Sequence, residues 1–248
     1  MKTDVIYNQD CLQTLQRLQD NCIDIVITSP PYNMNLRIRK GEYCSRQVVK
    51  EFSTKYDGFA DNLPIAEFES RHLRILSELL RVSQRVFYVI QIVTGSKRAF
   101  FRIVGKLSNH LKDIIVWDKG FAQPAMHRKV LNRQVEYVLV FEKDYPISRM
   151  YRNKCKFKRG KLNDLWVIPR EITKYNHSAA FPELLVIRIL ENFSDEGDIV
   201  YDPFMGTGTT AIVAKSMNRK YIGSEIVKKY CDLANQRLKD TLQYDSNG

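Results

Sequence analysis

The chain has 248 residues, with 39 Lys and Arg against 28 Asp and Glu, a formal net charge of +11, and 44% hydrophobic and 27% charged residues. That balance excludes a disordered or fibrous chain, and the length suits one large α/β domain with a substantial core. No run of some eighteen apolar residues is present and the opening MKTDVIYNQD lacks an apolar signal core, so neither a membrane span nor secretion is expected, and the cytoplasm is.

The elements alternate. Residues 5–7 form a short β-like run, and residues 11–18 place Leu12, Leu15 and Leu18 at helical spacing. Residues 23–28 (IDIVIT) are a β-branched run of the kind buried in a parallel sheet. It stops at Ser29-Pro30-Pro31-Tyr32-Asn33, where two prolines forbid further ladder or helix. Residues 34–62 show no clean period and form a long polar, basic loop, of the kind that is functional or mobile. A helix is predicted over 64–80, a strand over 85–93 and a helix over 99–111. Strands follow over 113–117 and 135–141, then a basic stretch over 143–176 with a short hydrophobic piece at 165–168. Helix, strand, helix, strand and helix close the chain over 181–193, 198–201, 209–216, 220–224 and 227–238. Such alternation implies a mostly parallel sheet with helices on both faces.

The positive charge is concentrated. Residues 34–57 hold six basic and three acidic groups, and residues 143–176 hold ten and three. Residues 149–161 carry seven cations and no acid, interleaved with Tyr151 and Phe157. A nearly neutral body with two basic segments suits a polyanion-binding protein, with phosphate contacts and aromatic support for nucleic acid. The candidate contacts are Arg37, Arg39, Lys40, Arg149, Arg152, Lys154, Lys156, Lys158, Arg159 and Lys161.

Residues 198–210 read DIVYDPFMGTGTT: a strand into Asp202, then Gly206 and Gly208, then a helix. Glycines at such a turn let backbone approach a ligand, and the helix N-terminus offers N–H groups to an anion. Position 211 is Ala, so the third glycine of a dinucleotide fingerprint is missing, and no GK[ST] follows. Glu225, at the tip of the next strand, is placed to bond a ribose diol, so the pair of features fits an adenosine-bearing cofactor. The Ser29–Pro30 turn also lies at a strand end, where ligands of open α/β sheets bind. Its prolines would hold the Ser29 hydroxyl and the Pro30 carbonyl as two fixed acceptors, with Tyr32 as a stacking plate, to grip an aromatic ring bearing an amino group.

Ser29-Pro30-Pro31-Tyr32 together with Asp202-Pro203-Phe204-Met205-Gly206-Thr207-Gly208-Thr209-Thr210 resembles the S-adenosylmethionine-dependent DNA amino-methyltransferases. The catalytic motif comes first here, an order similar to that of their circularly permuted beta group. The segment Asn8-Gln9-Asp10-Cys11-Leu12 resembles the family's cofactor-holding piece, and His177-Ser178-Ala179-Ala180-Phe181-Pro182 the motif before its glycine loop. The family often has proline where Ser178 stands.

The resemblance implies a Rossmann-like methyltransferase fold with a seven-stranded, mostly parallel sheet. It divides the chain into a catalytic half (1–142), a small basic target-recognition insert (143–176) and a cofactor half (177–248). It also implies methyl transfer from S-adenosyl-L-methionine to an exocyclic amine of a flipped base in duplex DNA. Ser29 and Pro30 would accept the amine hydrogens, Pro31 would stiffen the turn, Tyr32 would stack and Asn33 would hold the base edge. Asp10, Cys11, Phe181, Asp202, Pro203, Phe204, Gly206, Gly208, Thr209, Thr210 and Glu225 would bind the cofactor, Asp202 holding the cofactor's amino group and Glu225 the cofactor's ribose.

No zinc spacing joins His72, His110, His127 and His177 to the cysteines Cys11, Cys22, Cys44, Cys155 and Cys231, and no metal is expected. None of those cysteines follows a proline, which excludes ring-carbon methylation by a Pro-Cys pair. Serine at the head of the tetrapeptide favours cytosine N4, with adenine N6 as the alternative. A silent nucleic-acid binder and an RNA or protein-amide methyltransferase are the other readings. Expected partners are double-stranded DNA, a cognate restriction endonuclease and a second copy of the chain, in a prokaryotic or phage setting.

Overall fold

The computed structural model describes residues 1–33, 37–39, 42–44, 63–93, 95–122, 129, 131–144, 150–151, 154–170 and 181–245. Strands β1 (Val5–Tyr7), β2 (Ile25–Thr28), β5 (Arg85–Ile90), β6 (Leu111–Asp118), β7 (Val135–Glu142), β8 (Leu165–Val167), β9 (Ile199–Asp202) and β10 (Lys220–Ser224) form one sheet. Its order is β1-β10-β9-β2-β5-β7-β6-β8. Strand β7 is antiparallel to both neighbours, and every other pairing in this sheet is parallel. A hairpin of β3 (Arg37–Arg39) and β4 (Glu42–Cys44) stands apart.

Helices α1 (Cys11–Leu15), α2 (Ile65–Val82) and α3 (Lys97–Lys106) cover one face, and α4 (Glu183–Phe193), α5 (Thr209–Ser216) and α6 (Lys228–Asp245) the other. The two-residue repeat of the strands sorts the core between them. Ile25, Ile27, Phe87, Val89, Val138 and Val140 pack towards α4–α6, while Val26, Val86, Tyr88, Leu139 and Phe141 pack towards α1–α3. Burial on both sides explains why these strands read as unbroken apolar runs. Helix α2 places Phe68, Ile75, Leu76, Leu79 and Leu80 on one buried stripe, the three-and-four spacing of a surface helix.

Two expectations are corrected. The main sheet has eight strands, not seven. The extra one, β8, comes from the basic stretch and adds to the edge against β6, with Trp166 fully buried between exposed Leu165 and Val167. The stretch is therefore built partly into the domain. Tyr151 and Phe157 do not stand out to meet bases: their rings lie 5.2 and 5.5 Å from Phe193, and the Arg85 guanidinium sits 5.2 Å from the Tyr151 ring centre. Lys154 bonds Asp24 at 2.7 Å and Asp198 at 2.6 Å, and Lys156 bonds Asp195 at 2.7 Å. Asp24 and Asp198 precede β2 and β9, so these lysines lie at the starts of the parallel strands. Seven cations within residues 149–161 would repel one another; carboxylates at the strand starts neutralise two of them.

Arg85 and Glu142 form a buried cross-strand ion pair between β5 and β7. Replacing Arg85 with Met strands a buried carboxylate and is expected to cost about 3–5 kcal/mol in urea denaturation. Lys154→Met is expected to cost less, because Lys154 and Asp24 are about a third exposed and buried Asp198 keeps the Asp195 N–H as a donor. Equal losses would contradict this ranking.

Candidate active site

The two motifs meet at one end of the sheet. Strands β2 and β9 are neighbours and parallel, with Ile25 opposite Val200 and Val26 opposite Tyr201, so both end at the same edge. From β9 the chain proceeds outward through β10, and from β2 it proceeds the other way to β5. Such a reversal opens a crevice beyond the strand ends. One hydrogen bond spans the junction: Thr28 Oγ1 donates to Asp202 Oδ1 at 2.7 Å, both residues being buried. The β1 and β10 tips join the same edge, because Glu225 N–H donates to the Tyr7 carbonyl at 3.0 Å and Asn8 Nδ2 to the Glu225 carbonyl at 2.8 Å.

Asp202 braces the crevice. Besides Thr28, its carboxylate accepts from Thr210 Oγ1 at 2.7 Å and from the Phe204 N–H at 3.0 Å. Burial pushes its carboxyl up to about 6, and the three donors moderate the rise. The expected bond from Asp202 to the cofactor's amino group is therefore corrected: the side chain is 1% exposed and turned inward.

Glu225 holds the glycine loop. Its Oε2 accepts from Gly206 N–H at 2.7 Å and its Oε1 from Val227 N–H at 2.8 Å. Burial raises its carboxyl above the ordinary range. A carboxylate oxygen carries two lone pairs, so each keeps one for a ribose hydroxyl. Gly208 begins α5 in the left-handed region at φ 91°, and an added Cβ would lie 2.8 Å from the Ala234 Cβ of α6. Pro203, Thr209 and Thr210 are buried in this turn, and Phe204 and Gly206 are partly exposed. No side chain caps α5, which leaves its first-turn N–H groups to a ligand acceptor.

Asp10 caps α1 through the Leu12 N–H at 2.8 Å and bonds Arg71 at 2.6 Å. Burial pushes its carboxyl up, but Arg71 and Leu12 outweigh that and hold it below the usual value. Cys11 is corrected as a side-chain ligand: the thiol lies in the core with Leu15 and Ile23, and burial raises it to about 12. Phe181 packs in the core on the α4 side.

At the β2 tip, Ser29 and Tyr32 are partly exposed and Pro30 is buried. Ser96 Oγ donates to the Tyr32 carbonyl at 2.9 Å and pins the turn to the start of α3. Asn33 has φ 54°, and its Nδ2 donates to the Leu63 carbonyl at 2.9 Å. Its side chain is buried, so it anchors the turn, which corrects the expected role at the base edge. The hydroxyls of Ser29 and Tyr32 lie 2.8 Å apart, and Tyr32 donates to Glu136 Oε2 at 2.9 Å. The sequence reading gave no role to Thr28, Ser96 or Glu136. Glu136 carried a signal, because the alternation of β7 puts it on the same face as buried Val138 and Val140.

Of the DNA candidates, Arg37 and Arg39 lie on β3, and Lys40, Arg149 and Arg152 fall outside the described residues. Lys158, Arg159 and Lys161 are exposed. Lys154 and Lys156 stand at the strand starts, the opposite end from the crevice, each in an ion pair. Among the described residues, no helix is long and apolar enough to cross a membrane.

The chain belongs to the DNA methylase family whose model matches residues 23–236. It is 30% identical to the orphan methyltransferase M.BamHII of Bacillus amyloliquefaciens, over 91% of this chain and 92% of that protein. Its fold matches PvuII DNA methyltransferase, cytosine-N4-specific, with a TM-score of 0.68 at 18% identity, over 100% of this chain and 94% of the other. It also matches the DNA modification methylase TTHA0409 of Thermus thermophilus in complex with S-adenosyl-L-methionine, with a TM-score of 0.65 at 22% identity, over 95% and 93%. The chain is thus a DNA methyltransferase of the N4/N6 amino class, with S-adenosyl-L-methionine as methyl donor.

Two outcomes test the geometry. The native state binds more protons at Asp202 than the unfolded chain between pH 3.8 and about 6. The stabilisation from this group is present below pH 3.8 and is lost as pH rises through 6. Urea denaturation should show wild type losing stability relative to Asp202→Asn across that window, and a constant difference would contradict the burial of the carboxyl. Gly208→Ala should destabilise the chain by about 1–3 kcal/mol, because α6 leaves no room and φ is positive; unchanged stability would contradict that packing.

Proposed function

We propose that this chain methylates N4 of cytosine in duplex DNA, taking the base out of the stack into the crevice between β2 and β9. The observation that carries the reading is the Thr28–Asp202 bond, which makes the serine turn and the glycine loop two walls of one cleft. Serine at position 29 supports cytosine, and adenine N6 is the same chemistry with another base entering.

The exocyclic amine is a poor nucleophile because its lone pair is delocalised into the ring. The Ser29 hydroxyl and the Pro30 carbonyl accept its two hydrogens, draw the nitrogen towards a pyramidal form and expose the lone pair. Tyr32 offers its ring face to the extruded base. The bound donor supplies an electrophilic methyl group on a positively charged sulfur. The loop of Gly206 and Gly208 and the start of α5 receive its anionic end, and the outer lone pairs of Glu225 receive its ribose. The protein's part is alignment and fixed dipoles. DNA phosphates meet exposed Lys97 and Arg98 beside Ser96 and Arg133 near the start of β7, and the sequence adds Arg37, Arg39 and Lys40 as candidates. The reading includes a cytoplasmic location, with a cognate restriction endonuclease and a second copy of the chain as expected partners.

Duplex DNA treated with the enzyme and donor, then digested to nucleosides for mass spectrometry, should contain N4-methylcytosine. N6-methyladenine in its place would overturn the choice of base, and an unmodified digest would overturn the reading. Ser29→Ala should lower kcat about 100-fold with the Kd for S-adenosyl-L-methionine close to wild type. A large loss of cofactor affinity would contradict the assigned role.

A further inference from the structure

A charged pair lies behind the serine turn. Glu136 on β7 is 8% exposed and Lys119, just past the end of β6, is 4% exposed. Lys119 Nζ donates to Glu136 Oε1 at 3.1 Å, and the other oxygen accepts from Tyr32. Removing two charges from water is expensive, and a buried pair is weak evidence for stability. The fold already has an apolar layer here, with Trp117 and Val138 on the same face. A pair retained at that cost, one bond from the tetrapeptide, invites a role in the chemistry.

We propose that the Glu136–Lys119 pair acts through Tyr32 as a positioning element that fixes the direction of the Ser29 hydroxyl hydrogen, making Ser29 an acceptor towards the target amine. The proposal rests on the reading of Ser29 as that acceptor. Donor counting carries it. An ammonium only donates, and the carboxylate that it holds only accepts. Tyr32 has one hydroxyl proton and spends it on Glu136. The 2.8 Å bond between Tyr32 and Ser29 must then use the serine's proton, with the tyrosine oxygen accepting. Ser29 is left with lone pairs alone to offer the cleft. Without the anchor, its hydroxyl turns freely and presents a donor to a group that itself donates.

Replacing Glu136 with Gln tests the polarity at nearly constant shape. Lys119 cannot accept, so the amide oxygen must face Lys119 and the amide N–H₂ must face Tyr32. The chain of bonds then reverses: Gln donates to Tyr32, Tyr32 donates to Ser29, and Ser29 points its proton at the amine. Adding Lys119→Met lets the amide turn round and accept from Tyr32 again.

Methyl transfer from radiolabelled S-adenosyl-L-methionine to unmethylated genomic DNA gives the readout. Glu136→Gln is expected to lower kcat about tenfold, the equivalent of one ordinary hydrogen bond, with KM for DNA and the cofactor Kd within about twofold of wild type. The Lys119→Met/Glu136→Gln double variant should recover several-fold of that loss. Tyr32→Phe should also slow turnover, and adding Glu136→Gln to it should cost nothing more, because the link is already cut. An unimpaired Glu136→Gln enzyme, a double variant as slow as Glu136→Gln, or additive losses with Tyr32→Phe would overturn the proposal. Should Glu136→Gln fail to fold, an unimpaired Tyr32→Phe enzyme would overturn it too, and a slowed one with KM held would support it. Wild type that transfers no methyl group to DNA would defeat the functional reading as well, whereas active wild type with unaffected variants defeats the positioning pair alone.

Discussion

A side-chain bond, from Thr28 at the end of β2 to Asp202 at the end of β9, ties the structure's two chemical segments where their paired strands end. The residues are 174 positions apart in the chain and lie on adjacent strands. Strand pairing sets the register, and the bond locks the last step of it. Because both strands end at a reversal of the sheet order, the serine turn and the glycine loop open onto the same side. The arrangement depends on which strands are neighbours in the sheet and not on which of the two motifs comes first in the chain.

Around that bond the protein uses carboxylates as internal braces. Asp202 joins the loops, Glu225 pins the Gly206 and Val227 amides, and Glu136 anchors Tyr32. All three are at least nine-tenths buried. Each costs desolvation and offsets it with fixed donors. The result is a cleft whose groups are aimed before substrate arrives, which is what methyl transfer to a weak nucleophile requires, since little reorganisation remains to be done at the transition state. The peripheral ties of Ser96 and Asn33 to the serine turn serve the same end.

Much of this was legible in the sequence. Continuous apolar strands alternating with helical stripes specified the layered parallel sheet, and the motif residues named the strand ends that matter. What was not legible is instructive. Edge strand β8 is three residues long, with one buried side chain, too short for a period to register. Linear charge counting could not see Asp24, Asp195 and Asp198 at the strand starts, which pair with two lysines of the basic stretch. Its aromatics read as stacking groups, yet they pack, partly buried, against Phe193 at the end of α4. Asp202 and Asn33 read as ligand groups because polarity alone does not tell which way a side chain turns. Glu136 was overlooked although strand parity placed it on a buried face.

The most direct measurement is a crystal structure of the chain with S-adenosyl-L-methionine bound. The donor's methyl carbon should lie over the Ser29–Tyr32 turn, with its ribose at Glu225 and its sulfur between the tips of β2 and β9. A donor seated elsewhere, with its methyl group turned away from Ser29, would contradict that placement.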